Sequence, residues 1–340
     1  MCSRRREEEH MQTLVFDNIR DFDLAHSFEC GQCFRWNKEK SAEDGAGKSA
    51  EKIADGGADI SASNGAGKNV SSGAYLGIVG EYACRASLSD GKLTLNVSGG
   101  DEAFWRNYFD LDTDYSEIKA RLIEAEPRIA PAIEAGYGIR ILRQDCFETL
   151  ISFIISQNNN IPRIKKCIEG LCESYGHIIE GARSLYAFPT PEAGTENRSE
   201  AGIRNGAGTE GARSLYAFPT PEALANAKIE DLAPLKLGYR DKYIIEASRR
   251  YVAEGAPSPK TISSYLGVGP KVASCIRLFG MGCTDAFPID VWVKKIMADM
   301  YGFDESDIKG MQAFAEERFG SLGGYAQQYL FNYYRNIKTL

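Results

Sequence analysis

A glycine-rich turn followed at once by a lysine is the part of this sequence with the clearest chemistry. Residues 261–296 read TISSYLGVGPKVASCIRLFGMGCTDAFPIDVWVKKI, which predicts a helix, a tight turn at 267–269, and a second helix that Pro270 begins and Gly280 ends. Such a turn exposes backbone N–H groups that can bind a phosphate. Lys271 falls in the first turn of the second helix, where the dipole disfavours a positive charge and favours the neutral, nucleophilic amine. The alternatives are an ordinary turn and a solvated surface lysine.

A carboxylate follows 19 positions after this lysine. Asp290, in FPIDVW, fits the N-cap of a helix VWVKKIMADM. Capping alone would explain an aspartate at this position. A capping carboxylate that also faces a pocket can stabilise a cation that develops near the lysine.

The elements that must position these residues divide the chain in two. Residues 11–112 contain β-rich segments at 13–37 and 75–98, which alternate apolar and polar residues and predict an antiparallel sheet. Between 113 and 340, apolar residues recur at spacings of three and four, which predicts helices. We therefore expect an α+β protein in which an N-terminal antiparallel β-sheet domain precedes a mainly α-helical domain.

Three segments do not fit this division. Residues 1–10 mix arginine with glutamate and predict a disordered arm, and residues 41–73 are almost wholly Ala, Gly, Ser, Asp and Lys, which predicts a flexible insertion. The sequence GARSLYAFPTPEA occurs at 181–193 and again at 211–223. We interpret it as a tandem duplication in the helical domain, with one copy in the native place and the other looped out. The sequence leaves open which copy is native.

The composition excludes several classes of protein. The chain has 340 residues, of which 43% are hydrophobic and 26% charged, as in a packed globular protein. No apolar run approaches the roughly 20 residues of a membrane helix, and the first residues lack the apolar core of a signal peptide. We therefore expect no membrane partner and a cytoplasmic (nucleoid) or nuclear location rather than secretion. The net charge of −7 argues mildly against nucleic acid, although a local basic face suffices for binding.

The cysteines predict neither disulfides nor a metal site. Nine cysteines without a dense framework are typical of reduced thiols. Cys30 and Cys33 form a CxxC pair, and Cys167 and Cys172 form a looser one, but a structural zinc site needs four regularly spaced ligands. We therefore predict no metal and no cofactor.

The helices, the LGVG hairpin, the lysine and the aspartate together resemble the helix-hairpin-helix glycosylase superfamily. Further segments resemble its 8-oxoguanine DNA glycosylase branch: SFECGQCFRW at 27–36, ISFIISQNNNIPRI at 151–164, LGYRDKY at 237–243 and GGYAQQYLF at 323–331. These segments occur in order across nearly the whole chain. The endonuclease III and adenine glycosylase branches need four cysteines beyond the catalytic aspartate, and no cysteine follows Cys283. The lysine argues against the alkylbase branch, which uses the aspartate alone.

The resemblance implies a role for each residue of the hairpin region. Gly267, Val268 and Gly269 match the hairpin that grips the DNA backbone while the damaged nucleotide is flipped out of the duplex. Lys271 matches the nucleophile that attacks C1′, expels the base and remains as a Schiff base, from which β-elimination follows. Asp290 matches the carboxylate that stabilises the sugar cation.

The resemblance also implies how the base is read. Gly31 matches a glycine whose carbonyl accepts a hydrogen bond from the N7–H that 8-oxoguanine has and guanine lacks. Gln327 matches the residue that reads the Watson–Crick edge. Phe331 and Cys275 match the pair that sandwiches the ring, and Cys275 lies one helical turn after the lysine, on the same helix face.

Four further residues match those around the opposing cytosine. Asn158, Arg163 and Arg240 match the residues that hold this base, and Tyr239 lies beside the gap left by the flipped nucleotide. The alternatives are an ordinary NNN turn and an Arg240 that faces water. Trp292 departs from the pattern, because a relative has histidine two places after the aspartate, and this puts a phosphate contact there in doubt.

The leading hypothesis is therefore a bifunctional 8-oxoguanine DNA glycosylase with abasic-site lyase activity. It would act as a monomer on double-stranded DNA that contains 8-oxoguanine opposite cytosine. One alternative is a glycosylase for another lesion, since substrate choice depends on a few pocket side chains. Another is a catalytically silent DNA-binding protein, against which the presence of both Lys271 and Asp290 argues.

Overall fold

The computed structural model describes residues 11–39, 73–179, 182 and 215–337. The predicted arm at 1–10 lies outside these residues, as does the predicted insertion except Gly73. The first copy of the repeat also lies outside them, apart from Ala182.

Five strands form one antiparallel sheet in the N-terminal region, as the alternating pattern predicts. The strand order is β1-β5-β4-β3-β2. A two-residue turn joins β4 to β5, and its residues Asp90 and Gly91 both have positive φ, which matches the right-handed twist of a hairpin. The strands are β1 (Gln12–Phe16), β2 (Trp36–Lys38), β3 (Tyr75–Val79), β4 (Tyr82–Ser89) and β5 (Lys92–Val97).

One part of the segment expected to be β-rich is instead a short helix, α1 (Leu24–Glu29). Asp23 caps it by accepting a hydrogen bond from the backbone N–H of His26 at 2.8 Å. Leu24 and Phe28 lie one turn apart and are both buried, so an i, i+4 pair accounts for the helix better than alternation does. The helix ends directly before the turn at residues 30–33, which we call the CGQC turn.

The rest of the described chain is mainly helical, which confirms the predicted fold class. No helix among the described residues is long and apolar enough to cross a membrane. The helices are α2 (Glu102–Tyr108), α3 (Tyr115–Ala125), α4 (Ala130–Ala135), α5 (Cys146–Ser156), α6 (Ile161–Tyr175), α7 (Pro221–Ala225), α8 (Ile229–Leu232), α9 (Arg240–Glu254), α10 (Pro270–Met281), α11 (Val291–Tyr301), α12 (Ile308–Phe319) and α13 (Gly323–Ile337).

The CGQC turn lies where two large apolar cores meet. Phe28 and Cys33 belong to the core beneath the sheet, whereas Cys30 and Phe34 belong to the core of the helical region. Neighbouring residues of this segment are therefore buried in different cores. Packing on both sides limits how far the turn between them can move.

Residues 215–223, the described part of the second copy of the repeat, are packed beyond α6. Tyr216 forms a β-bridge with Ile178, and Ala217 is buried against the sheet region. Thr220 caps α7 by accepting a hydrogen bond from the N–H of Ala223 at 3.2 Å. The structure thus gives residues 215–223 a defined place in the fold.

Candidate active site

The predicted hairpin is present, although one of its expected helices is only a single 3-10 turn, Ile262–Ser264. Gly267 has a φ of +80°, and a Cβ there would lie 2.4 Å from Cδ2 of Tyr243. No larger residue fits without a shift of that ring. Gly269 is the N-cap of α10 and supplies no side-chain hydrogen bond, so a side chain does not occupy the first N–H groups of the helix. Pro270 begins this helix, as predicted.

The prediction that Gly280 ends this helix is wrong. The helix continues to Met281, and Gly282 takes the left-handed conformation at its end, with a φ of +66°. Gly280 instead permits close packing on α5, because a Cβ there would lie 3.0 Å from Cβ of Thr149. Both glycines suit a helix end by residue type, and packing against α5 is invisible in the local sequence.

Lys271 lies in the first turn of α10 and is half-buried. Its Nζ is 5.3 Å from the centroid of the Phe153 ring, which belongs to α5. It interacts electrostatically with Asp290 and with Cys275. The structure therefore brings together the predicted nucleophile, the predicted carboxylate and one predicted stacking residue.

Asp290 caps α11, which confirms the structural part of its prediction. Its carboxylate accepts hydrogen bonds from the backbone N–H groups of Trp292 at 3.0 Å and Val293 at 2.9 Å. Burial raises the pKa of this carboxyl group, while the two N–H groups and the charge of Lys271 oppose the rise. A partly desolvated carboxylate interacts more strongly with a nearby positive charge than a hydrated one does.

Cys275 is buried one turn after the lysine. Burial raises the pKa of its thiol, and the charge of Lys271 opposes the rise. A protonated thiol in this position offers a small, polarisable surface on which a flat ring can pack.

Three of the residues expected to read the base, Gly31, Gln327 and Phe331, lie where α13 approaches the CGQC turn. Gly31 has a φ of +83°, and a Cβ there would lie 3.6 Å from Cε1 of Phe331. Gln327 lies one turn before Phe331 on α13 and is only 4% exposed. Gln328 donates a hydrogen bond to Oε1 of Gln327 at 2.7 Å, which fixes the orientation of that amide.

The CGQC turn is held by the side chain of Gln32. Its Nε2 donates to the carbonyl oxygens of Ser27 at 2.8 Å and Arg140 at 2.7 Å. Its Oε1 accepts from the backbone N–H of Leu142 at 2.9 Å. These hydrogen bonds tie Gln32 both to α1, through Ser27, and to the distant segment that contains Arg140 and Leu142. The backbone of the neighbouring Gly31 therefore has little freedom to move.

Three of the four residues expected around the opposing base, Asn158, Arg163 and Tyr239, lie at the surface. Asn158 is exposed, has a φ of +46°, and donates to the hydroxyl of Tyr239 at 3.4 Å. Tyr239 is itself 43% exposed. Arg163 is exposed and donates to the carbonyl oxygen of Lys236 at 3.1 Å.

Arg240 does not face water, so that alternative is wrong. It is only 6% exposed, and it donates to the carbonyl oxygens of Leu237 at 2.9 Å and Asn158 at 3.3 Å. It also donates twice to the carbonyl oxygen of Gln157. These bonds fix the turn that carries Asn158, which gives Arg240 a structural role in addition to the one expected.

Sequence reasoning missed the residue that connects the hairpin to this surface. Tyr243 packs against Gly267, and its ring centroid is 5.7 Å from that of Tyr239 in an edge-to-face arrangement. The two tyrosines are one turn apart at the start of α9, so the spacing in YRDKY was the available signal.

Trp292 presents an aromatic surface where a relative has histidine. The centroid of its ring is 6.4 Å from that of the Tyr334 ring. Nζ of Lys295 lies 5.2 Å from the centroid of the Trp292 ring. Lys295 therefore supplies a positive charge beside the Trp292 ring.

Family models cover most of the chain. The N-terminal domain of 8-oxoguanine DNA glycosylase matches residues 14–150, and the HhH-GPD superfamily of base excision DNA repair proteins matches residues 151–320. The chain belongs to the HhH-GPD superfamily and carries the N-terminal domain of its 8-oxoguanine DNA glycosylases.

Solved structures and curated proteins agree with this membership. The 8-oxoguanine glycosylase/lyase of Clostridium acetobutylicum, in complex with double-stranded DNA containing cytosine opposite 8-oxoguanine, is 32% identical, with 97% of this chain and 98% of that chain covered and a TM-score of 0.73. MBOgg1 in complex with a low-affinity DNA ligand is 33% identical, with 97% and 99% covered and a TM-score of 0.73. The probable N-glycosylase/DNA lyase of Methanothermobacter thermautotrophicus is 29% identical, over 68% of this chain and 74% of the relative.

Proposed function

We propose that this protein removes 8-oxoguanine from duplex DNA, opposite cytosine, and then cleaves the strand at the resulting abasic site. The observation that carries the proposal is the electrostatic interaction of Lys271, in the first turn of the helix that follows the hairpin, with the partly buried carboxylate of Asp290, the N-cap of α11. The enzyme class, a DNA N-glycosylase with DNA lyase activity, is supported by the family and by relatives named N-glycosylase/DNA lyase.

In the first step, the amine of Lys271 attacks C1′ of the flipped nucleotide. The new C1′–N bond forms as the bond from C1′ to the base breaks, and the base leaves with the electron pair and takes up a proton. Asp290 stabilises the positive charge that develops on the sugar during this displacement. Its partial burial and its interaction with Lys271 support this role.

In the second step, the C1′–O4′ bond of the lysine–sugar adduct breaks, and O4′ takes up the proton that the lysine nitrogen gives up. The resulting Schiff base has a positive nitrogen that withdraws electrons from C2′. Loss of a C2′ proton then allows the C3′–O bond to break, with the 3′ phosphate as the leaving group. Hydrolysis of the remaining Schiff base returns Lys271 to its free form. The hairpin at Gly267, Val268 and Gly269 holds the DNA backbone during both steps through its N–H groups.

In the base pocket, the carbonyl of Gly31 accepts the hydrogen bond from N7–H. Gln327 reads the Watson–Crick edge, and the ring stacks between Phe331 and Cys275. The close approach of Gly31 to Phe331 and the burial of Gln327 and Cys275 support this arrangement.

Around the opposing cytosine, Asn158 and Arg163 supply donors from the surface, and Tyr239 fills the gap that the flipped nucleotide leaves. The exposure of these three side chains supports their access to DNA. The protein acts as a monomer, in the compartment that contains the DNA.

A strand-cleavage assay tests the proposal. A 5′-labelled duplex with one 8-oxoguanine opposite cytosine should be cut at the lesion without alkali, and the same duplex with guanine should stay intact. Lys271→Gln should abolish both base loss and cutting. Equal treatment of the two duplexes by the unaltered protein would contradict the proposed substrate, and base loss without cutting would contradict the lyase step.

A further inference from the structure

One face of α13 extends beyond the residues assigned to the base pocket. Gln327, Phe331 and Arg335 are each four residues apart on this helix, so they lie on the same face. Arg335 follows the stacking position by one turn and lies outside the GGYAQQYLF segment, which ends at Phe331.

The side chain of Arg335 contacts both partners of the base pocket. Its Nη2 donates at 2.5 Å to the carbonyl oxygen of Glu29, the last residue of α1, directly before the turn that contains Gly31. Its Nη1 lies 3.8 Å from the position that a Cβ on Gly31 would take. Its Cζ lies 5.4 Å from the centroid of the Phe331 ring. One guanidinium group thus spans the recognition turn and the stacking residue.

The other bonds of this turn run to different parts of the molecule. The hydroxyl of Tyr75, in β3, donates to Oε1 of Glu29 at 2.6 Å, and Gln32 donates to the carbonyl oxygen of Arg140 at 2.7 Å. These bonds fix the turn relative to the sheet and to the chain before α5. The hydrogen bond from Arg335 to the carbonyl oxygen of Glu29 connects the turn to α13.

The charge of Arg335 also acts on this turn. Burial raises the pKa of the Cys30 thiol to about 11, and the positive charge of Arg335 opposes that rise. Cys30 directly precedes Gly31, so the guanidinium group interacts with this part of the turn electrostatically as well as through its hydrogen bond.

We propose that Arg335 is a positioning residue for lesion recognition, which holds the carbonyl of Gly31 at hydrogen-bonding distance from a base stacked on Phe331. This inference rests on the proposed function. A hydrogen bond weakens steeply as its angle and distance depart from the optimum, whereas stacking tolerates small displacements. A turn that moved relative to α13 would therefore lose recognition of N7–H before it lost the ability to hold the ring.

The test measures binding in a Lys271→Gln background, which retains substrate without turnover. Affinity is compared for duplexes with 8-oxoguanine and with 8-oxo-7-deazaguanine, which lacks the N7–H donor, each opposite cytosine. In Arg335→Met the preference for 8-oxoguanine should fall about tenfold, as expected for a displaced recognition group. The matched control is Arg249→Met, since Arg249 is an exposed arginine of α9 that also donates to a carbonyl oxygen, that of Ala225 at 3.1 Å. The control should leave the preference unchanged.

The ratio of affinities separates positioning from general structural support. A purely structural role would weaken binding of both duplexes equally, so an unchanged ratio overturns the proposal even if both affinities fall. With Lys271 intact, Arg335→Met should also cut a preformed abasic site at the rate of the unaltered protein, because that substrate has no base for Gly31 to contact. Loss of this activity would contradict the proposal.

A second variant covers the case in which Arg335→Met fails to fold, as judged by circular dichroism. Arg335→Lys keeps the charge and a donor but lacks the planar fork, and it should lower the preference by about threefold. An unchanged preference in this variant overturns the proposal. If the parent Lys271→Gln protein shows no preference for 8-oxoguanine over guanine, the proposed function fails, and this outcome is distinct from a failure confined to the Arg335 variants.

Discussion

The two sides of the candidate site differ in how far their side chains are buried and held in place by the rest of the protein. On the lesion side, Gln327 and Cys275 are 4% and 3% exposed, and the turn at Gly31 is held between two cores. On the side of the opposing base, Tyr239 is 43% exposed, and Asn158 and Arg163 are also exposed.

This difference assigns the two sides different energetic roles. Buried groups with fixed hydrogen bonds discriminate strongly, because a mismatched base leaves a polar group unpaired away from water. Exposed side chains exchange one partner for water or another base at lower cost. We therefore expect strict selection of the damaged base and weaker selection of its partner.

The largest effect should come from the carboxylate of Asp290, beside the proposed nucleophile. Asp290→Asn keeps an oxygen for the N–H groups of Trp292 and Val293 but removes the charge, so excision of 8-oxoguanine should slow by roughly 10² to 10³-fold. Single-turnover kinetics measure the rate, and a thermal melt should show nearly unchanged Tm. A large loss of Tm with a matching loss of activity would favour capping as the only role of Asp290.

The pH dependence should reflect the same group. Because burial raises the pKa of Asp290, its carboxylate is lost at a higher pH than that of a free aspartate. The excision rate should therefore fall on acidification earlier than an ordinary aspartate would predict. This fall in rate at acid pH should be absent in Asp290→Asn. If the fall persists in that variant, another titrating group causes it.

On the lesion side, substrate analogues test the carbonyl of Gly31, which no side-chain substitution removes. In Lys271→Gln, 8-oxoguanine should bind roughly 10 to 100-fold more tightly than 8-oxo-7-deazaguanine, 7-deazaguanine or guanine, because only 8-oxoguanine donates from N7. Equilibrium binding to matched duplexes gives these ratios. Equal affinity for 8-oxoguanine and its 7-deaza analogue would transfer recognition to Gln327, Phe331 and Cys275.

On the opposing side, two arginines should behave differently. We compare excision of 8-oxoguanine opposite cytosine with its excision opposite adenine. Arg163→Ala and Arg240→Ala should each lower the ratio of the two activities, by up to about tenfold. Only Arg240→Ala should also lower the free energy of unfolding, by about 2 kcal/mol, because it removes the donor to one buried carbonyl oxygen, that of Leu237, and to the partly buried ones of Gln157 and Asn158. Ratios that stay constant in both variants would exclude these side chains from reading the partner base.

The smallest effect should come from the repeat. Deleting residues 181–210 leaves one copy of the repeat and shortens the connection between Ile179 and Leu215 from residues 180–214 to a five-residue loop. The deleted residues include none of the proposed site residues, so activity should stay unchanged. The lower entropic cost of closing the shorter loop should raise the free energy of unfolding by about 1 to 2 kcal/mol. Chemical denaturation measures the gain. We also expect the segment 41–73 to be dispensable, and loss of folding after either deletion would contradict the proposed domain limits.

The sequence alone was sufficient where local chemistry determines structure. The start of α10 at Pro270 and the cap at Asp290 follow from backbone hydrogen-bonding needs within a few residues. The need for glycine at position 31 follows from the family motif, and its positive φ supplies the physical reason.

The sequence was insufficient where distant segments meet. Its residue type predicts a surface position for Arg240. The side chain is instead buried, because it donates hydrogen bonds to carbonyl groups more than 80 positions away. Gly280 and Gly282 are equally good helix ends by type, and only packing against Thr149 separates them. The contact of Arg335 with Glu29 joins residues 306 positions apart, so no local pattern predicts it.

Covalent trapping tests the central claim, that the amine of Lys271 attacks the sugar, most directly. A duplex with one 8-oxoguanine opposite cytosine is incubated with the protein in the presence of borohydride, which reduces a Schiff base to a stable amine. The unaltered protein should give a cross-linked species on a denaturing gel, with the modification mapped to Lys271, and Lys271→Gln should give none. An adduct that persists in Lys271→Gln, or that maps to another residue, would contradict the account.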